Sequence, residues 1–194
     1  MNPHAHAKTD VGRKRTHNED AFLVDPDLGL FAVADGMGGH QAGEVAAARA
    51  LDVVQKELGN WSSILDEYRR GGSSEVRDVI VNLIEETIQR ACRAVFQDGS
   101  SSPGRKGMGT TLSMVLIRDS AAFVGHVGDS RVYLIREGGL HQLTEDHSLV
   151  QELLKRGRIG TKGAEQAKFK NVITRAIGHQ EHVKVDTLHL ELVA

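Results

Sequence analysis

Residues Gly29 to Ala34, Gly-Leu-Phe-Ala-Val-Ala, form a nearly continuous apolar run that halts at Asp35-Gly36-Met37-Gly38-Gly39. A short apolar run bounded by turn residues predicts a strand buried on both faces. Beyond the glycines, Val45, Ala48, Leu51, Val54 and Leu58 recur at helical spacing within the alanine-rich stretch from Glu44 to Leu58. The glycine turn therefore joins a buried strand to a helix and puts Asp35 at the strand end. Two readings of that carboxylate stand on these residues alone. It ligates a hard cation, with the Gly36 carbonyl as a second oxygen, or the segment is a plain strand-to-helix turn with a capping role.

The rest of the chain supplies the partners of this unit. Val76, Val79, Ile80, Leu83, Ile84, Ile88, Ala91 and Val95 make one apolar stripe along a helix from Glu75 to Phe96. Asp98-Gly99-Ser100-Ser101-Ser102-Pro103-Gly104 reads as a flexible connector. Strand-like stretches follow at Thr110 to Ile117, Ala121 to Val127 and Arg131 to Ile135, closely enough spaced for an antiparallel meander. Ser148 to Arg156 reads as a short helix, Gly157 to Gly163 as a mobile basic loop, and Val183 to Val193 as one more strand. Runs of strands with separate long helices predict a layered α+β sandwich rather than a βαβ sheet. At 194 residues without an internal linker, residues 1–194 read as a single domain.

Charge and composition exclude several functions. With 24 basic and 26 acidic residues the net charge is −2, which makes no case for nucleic acid or an anionic membrane as partner. No apolar run approaches the roughly 18 residues a membrane helix needs. The start of the chain also lacks the apolar core of a signal peptide, so a cytoplasmic location is expected. The single cysteine, Cys92, lies in an apolar helical pattern and reads as a core residue.

Acidic and glycine-rich clusters recur in a set order. They are Gly12-Arg13-Lys14-Arg15-Thr16-His17-Asn18-Glu19-Asp20, then Asp35-Gly36-Met37-Gly38-Gly39, then Gly109-Thr110-Thr111. Gly125-His126-Val127-Gly128-Asp129-Ser130-Arg131, Leu143-Thr144-Glu145-Asp146-His147-Ser148 and Val172-Ile173-Thr174-Arg175-Ala176-Ile177-Gly178 follow. Several motifs in order carry far more weight than one. With them the chain, from about Asp10 onward, resembles the bacterial-type PP2C (PPM) family of metal-dependent protein serine/threonine phosphatases. The resemblance implies a central antiparallel β-sandwich flanked by helices on both sides, in αββα layers.

It also implies hydrolysis of phosphoserine and phosphothreonine on proteins by a metal-activated water. Two divalent ions, Mn²⁺ or Mg²⁺, screen the phosphate's charge, and such ions take oxygen ligands. By resemblance Asp35 bridges the two ions and Gly36 offers its carbonyl. Glu19 and Asp20 match the acidic pair beside the site, and Asp129 matches the holder of a third ion. Arg15 matches the phosphate-binding arginine, whose fork suits two phosphate oxygens; without that match it reads as a solvated surface charge beside Arg13 and Lys14. His40 is a candidate proton donor, although many eukaryotic relatives carry a histidine where this chain has Met37. His147 reads as readily as a structural hydrogen-bonding residue.

Family members continue past a strand like Val183 to Val193 into Ser-Asp-Gly and Asp-Asn motifs that complete the first metal site. The resemblance thus implies a domain lacking its last strands and C-terminal segment. Phosphoproteins, the targets of a serine/threonine kinase, are the expected partners. The alternative is a catalytically impaired module that binds phosphorylated partners.

Overall fold

The computed structural model describes residues 3–38, 42–69 and 73–192. Strand β1 (Asp20–Asp25) turns into β2 (Leu30–Met37), and β2 leads to the helices α1 (Ala42–Asn60), α2 (Ser62–Arg69) and α3 (Ser74–Ser101). After a 3-10 turn at Pro103–Arg105 come β3 (Gly109–Thr110), β4 (Leu112–Arg118), β5 (Ala121–Val127), β6 (Tyr133–Arg136) and β7 (Gly139–Gln142). Helices α4 (Leu149–Lys155) and α5 (Thr161–Glu165) precede β8 (Asp186–Glu191). The strands of the main sheet run in the order β1-β2-β4-β5-β8, with β3 on β2, and every pairing is antiparallel.

Strand pleating divides this sheet into two unlike faces. Leu30, Ala32 and Ala34 of β2, Met114 and Leu116 of β4 and Phe123 of β5 share the first face and are buried. Helices α1 and α3 cover it with Ala46, Ala50, Val54, Ile80, Ile84 and Ile88, all buried. The contact is close enough that a Cβ on Gly125 would stand 2.6 Å from Ile88 Cδ1 and 2.7 Å from Ile84 Cγ2. Phe123, wholly buried, also meets the Tyr68 ring of α2 edge-on at 5.2 Å and the His189 ring of β8 at 4.9 Å.

The second face is apolar at one end and polar at the other. Cross-strand register aligns Phe22, Val33, Ser113, His126 and Asp186 in one row, with Asp20 opposite Asp35 in the next. The β6–β7 hairpin lies against the β5–β8 side of this face. Its Arg136 Nη2 donates to the Glu191 carbonyl at 2.9 Å, and His126 Nε2 meets the Glu145 carbonyl at 3.1 Å.

The α+β class matches the expectation, and several element boundaries do not. β2 alternates in burial, with Val33 46% exposed, because only its first face meets the helices. The strand also continues past Asp35, since Gly36 and Met37 pair with Thr110 and Gly109. The expected connector after Phe96 is helical as far as Ser101. Arg49 Nε holds Asp98 Oδ2 at 3.1 Å and Met108 packs on Gly99, so tertiary contacts outweigh poor local propensity. The expected three-strand meander is a β4–β5 hairpin followed by a separate β6–β7 hairpin. The loop after α4 contains α5. The last strand is shorter than expected, and it turns His189 toward the helices and leaves Leu188 37% exposed, the reverse of the simple apolar pattern.

Candidate functional site

Asp35 is held by its backbone rather than by its side chain. Its N–H donates to Thr111 Oγ1 at 2.9 Å, and its carbonyl accepts from Thr111 N at 2.9 Å and from Thr110 Oγ1 at 3.0 Å. Gly36 N–H donates to the Glu19 carbonyl at 3.1 Å, which ties the loop before β1 to the end of β2. Two glycines then let α1 approach. A Cβ on Gly36 would lie 2.1 Å from the Gly43 carbonyl oxygen and 2.6 Å from that of Glu19. One on Gly43 would lie 2.6 Å from Glu19 Oε1. The glycine turn that sequence alone left ambiguous is thus a close backbone crossing that brings Glu19 against the first turn of α1.

The side chains make a crowded acidic group. Partial burial first, then the charges of Asp20 and Asp129 and a hydrogen bond with Asp20, push the Asp35 pKa up to about 6, while the Arg15 charge works the other way. Burial raises Asp129 as well, with Asp146 adding to the effect and Arg131 opposing it. Arg15 Nη1 lies 3.9 Å from Glu19 Oε2, and its side chain is 63% exposed, so the guanidinium stands over the group with most of its surface open to solvent. Beside the carboxylates is a cavity of about 210 Å³ lined by Lys8, Thr9, Asp20, Phe22, Asp35 and Ser130 among others. Larger hollows of about 390 and 580 Å³ lie elsewhere, near His147 and near His179, but neither includes this acidic group.

Arg15, Glu19, Asp20, Asp35, Gly36 and Asp129 are therefore brought to one end of the sheet. His40 lies outside the described residues. Sequence reasoning passed over Thr110, Thr111 and Ser130 as site-supporting residues. Thr111 Oγ1 and Ser130 Oγ lie 2.7 Å apart and join the Asp35 backbone to the turn that carries Asp129. The only available signal was the presence of both residues within motifs already noted. Lys8, on the cavity wall, had none.

The donors fit a hard divalent cation in kind. They are carboxylate oxygens, with no thiol or imidazole among them, and their mutual repulsion is what an added cation relieves. Among the described residues no three His, Cys, Asp or Glu side chains converge as closely as a full ion-holding group.

An antiparallel sheet backed by helices, with carboxylate oxygens and an arginine at one end, defines the class as an α+β domain with an acidic site at one end of its sheet. The sequence model described as Protein phosphatase 2C matches residues 7–187. Serine/threonine phosphatase stp of Listeria monocytogenes is 37% identical over 187 residues, covering 95% of this chain and 70% of that protein. Protein phosphatase PhpP of Streptococcus pneumoniae is 39% identical over 183 residues, covering 92% and 69%. The crystal structure of the Mycobacterium tuberculosis serine/threonine phosphatase PstP/Ppp superposes with a TM-score of 0.81 at 32% identity, over 96% of this chain and 72% of that one. A PstP catalytic domain in complex with two manganese ions superposes with a TM-score of 0.73 at 30% identity, over 94% and 70%.

The chain belongs to the protein phosphatase 2C family, and its function is that of a protein serine/threonine phosphatase. Among the described residues no helix is long and apolar enough to cross a membrane.

Proposed function

We propose that residues 1–194 belong to a single PP2C-like domain that hydrolyses phosphoserine and phosphothreonine at the Asp20–Asp35 end of the sheet, with Mn²⁺ or Mg²⁺ as cofactor. The observation that carries this reading is geometric: Asp20 stands opposite Asp35 across β1 and β2, and the Thr111–Ser130 link ties the Asp35 backbone to the turn that carries Asp129, so that the Asp20 and Asp129 charges act on Asp35. Like charges held together at a cost to themselves are a site built for a cation. Bound there, divalent ions neutralise phosphate charge and acidify water.

The chain's own groups have distinct parts. Asp35, with the Gly36 carbonyl, would hold the divalent ions, Glu19 and Asp20 would support them from either side, and Asp129 would hold a further ion. Arg15, exposed and within reach of the acidic group, receives two phosphate oxygens through its fork and orients the phosphoryl group. Arg15 also balances the negative charge that the carboxylates present to an incoming phosphate. His40 is the proposed proton donor to the leaving oxygen. The substrates are phosphoproteins made by a serine/threonine kinase, and the manganese of the PstP relative favours Mn²⁺.

Hydrolysis of a phosphothreonine peptide with and without added Mn²⁺, on the parent and on Asp35→Asn, tests the reading. Turnover that needs the ion and disappears in the variant is expected, because the neutral amide lacks the charge with which the carboxylate would hold a divalent cation. Activity of the variant within a few-fold of the parent refutes the assignment.

A further inference from the structure

On the second face of the sheet, next to the carboxylates, runs a polar network that the proposed chemistry does not use. His147 is its centre. The residue is buried, and it grips Gly128 twice: its backbone N–H donates to the Gly128 carbonyl at 2.7 Å, and the Gly128 N–H donates to its ring Nδ1 at 3.0 Å. An Nδ1 that accepts leaves Nε2 to carry the proton of the neutral ring. Nε2 lies 3.0 Å from Asp186 Oδ2 and donates to it. Arg175 Nη1 donates to the other Asp186 oxygen at 2.8 Å and so fixes the carboxylate; its 3.0 Å approach to the protonated Nε2 sets two donors side by side and is not a hydrogen bond. His126 stacks on His147 with ring centroids 4.8 Å apart. Burial lowers the His126 pKa, which keeps a second positive charge away from this ring.

Gly128 is the first residue of the turn that carries Asp129. It has φ +112, and a Cβ there would meet Thr111 Cβ and Cγ2 at 2.6 Å. The far end of the same turn is fixed by Ser130, whose carbonyl accepts from Ser113 Oγ at 3.1 Å and whose hydroxyl meets Thr111 Oγ1. Asp129 is thus suspended between one anchor that leads to the Asp35 backbone and another that ends on His147, Asp186 and Arg175. We infer that His147, clamped by Asp186 and Arg175, is the positioning residue that sets the Gly128–Asp129–Ser130 turn and, through it, the reach of the Asp129 carboxylate toward a divalent ion. The last clause rests on the proposed role of Asp129, and the grip on Gly128 does not. The imidazole works through its two nitrogens in different directions, Nδ1 toward the site and Nε2 toward its own support. Outer contacts of this kind govern metal affinity by fixing the geometry of the ligand they support.

Two near-isosteric variants separate the nitrogens. His147→Asn keeps an acceptor where Nδ1 stands, and His147→Gln keeps a polar group where Nε2 stands. In ¹⁵N-labelled protein, exchange of the Gly128 amide proton is measured first without metal. It is expected to stay near the parent rate in His147→Asn and to run about tenfold faster in His147→Gln, where the buried donor loses its partner. Mn²⁺ alone is then titrated and the broadening of the Ser130 amide signal followed. The half-point is expected within about threefold of the parent for His147→Asn and about tenfold higher for His147→Gln. Amides of α1 and α3 report in both variants that the fold is intact. Equal exchange at Gly128 in the two variants overturns the positioning role, because a residue that merely fills space would treat both replacements alike. If the exchange rates separate but Mn²⁺ broadens no signal near Asp129 even in the parent, the positioning of the turn stands, and its service to an ion falls together with the metal role of Asp129.

Discussion

Gly36→Ala puts the crossing between β2 and α1 to the test. The added methyl would sit 2.1 Å from the Gly43 carbonyl oxygen, 2.4 Å from its carbonyl carbon and 2.6 Å from the Glu19 oxygen. All three are backbone atoms, so no side chain can swing aside. Ordinary contact begins near 3.4 Å, which means that the first turn of α1 must retreat by about 1.3 Å or the end of β2 must bend by as much. Overpacking of this kind costs about 1–3 kcal/mol. For a domain of this size that corresponds to a fall in Tm of roughly 2–12 °C. The same displacement moves Glu19 and the Asp35 backbone, which Gly36 joins through its N–H. A misplacement near 1 Å is worth about 10²-fold in rate. Urea unfolding and Mn²⁺-dependent turnover of a phosphothreonine peptide should therefore fall together. Gly104→Ala is the control, since no atom lies within 4 Å of its Cβ position; it should change stability by less than about 0.5 kcal/mol. A Gly36→Ala protein as stable and as active as the control would refute the close crossing.

Arg15→Ala should raise KM for a phosphopeptide with a smaller effect on kcat, because the guanidinium holds the phosphate in ground and transition states alike; steady-state kinetics with KM unchanged and kcat lost would assign it another part. Asp129→Ala should leave turnover attainable but move its Mn²⁺ dependence to higher concentration, and a titration curve that does not shift would leave Asp129 as a turn residue only. Burial works against the ionised form of Asp186, but the His147 hydrogen bond and the Arg175 guanidinium prevail and hold its pKa below the ordinary 3.8. A depressed carboxylate contributes stability above its unfolded pKa and loses it as pH falls through the folded one. The stability gap between the parent and Asp186→Asn, measured in urea, should stay level from pH 7 to 5 and begin to narrow as pH falls below 3.8; a gap that does not narrow at all as the pH is lowered further would mean that the charge of Asp186 contributes nothing.

Local pattern alone determined that a strand, a glycine turn and a helix follow one another from Gly29 to Leu58, and that a long amphipathic helix ends near the serine-rich segment. The period of the apolar residues carries that information within a single element. The same pattern misjudged Asp98 to Ser101, because a salt bridge to Arg49 and packing by Met108 lie outside any local window. It also left the faces of the last strand undecided. Whether Leu188 or His189 turns inward depends on which residue meets Phe123 across the sheet, and only register decides that. Motif order marked out Arg15, Glu19, Asp20, Asp35 and Asp129 as candidates, and the tertiary structure alone decided how they meet. Pairing of Asp20 with Asp35 across β1 and β2, and the Thr111–Ser130 link to the Asp129 turn, join segments up to about a hundred residues apart in the chain. The grip of His147 on Gly128 was illegible for the same reason. A histidine in a sequence has two nitrogens and no indication of which one accepts; the fold assigns them by placing a glycine N–H at one and a carboxylate at the other.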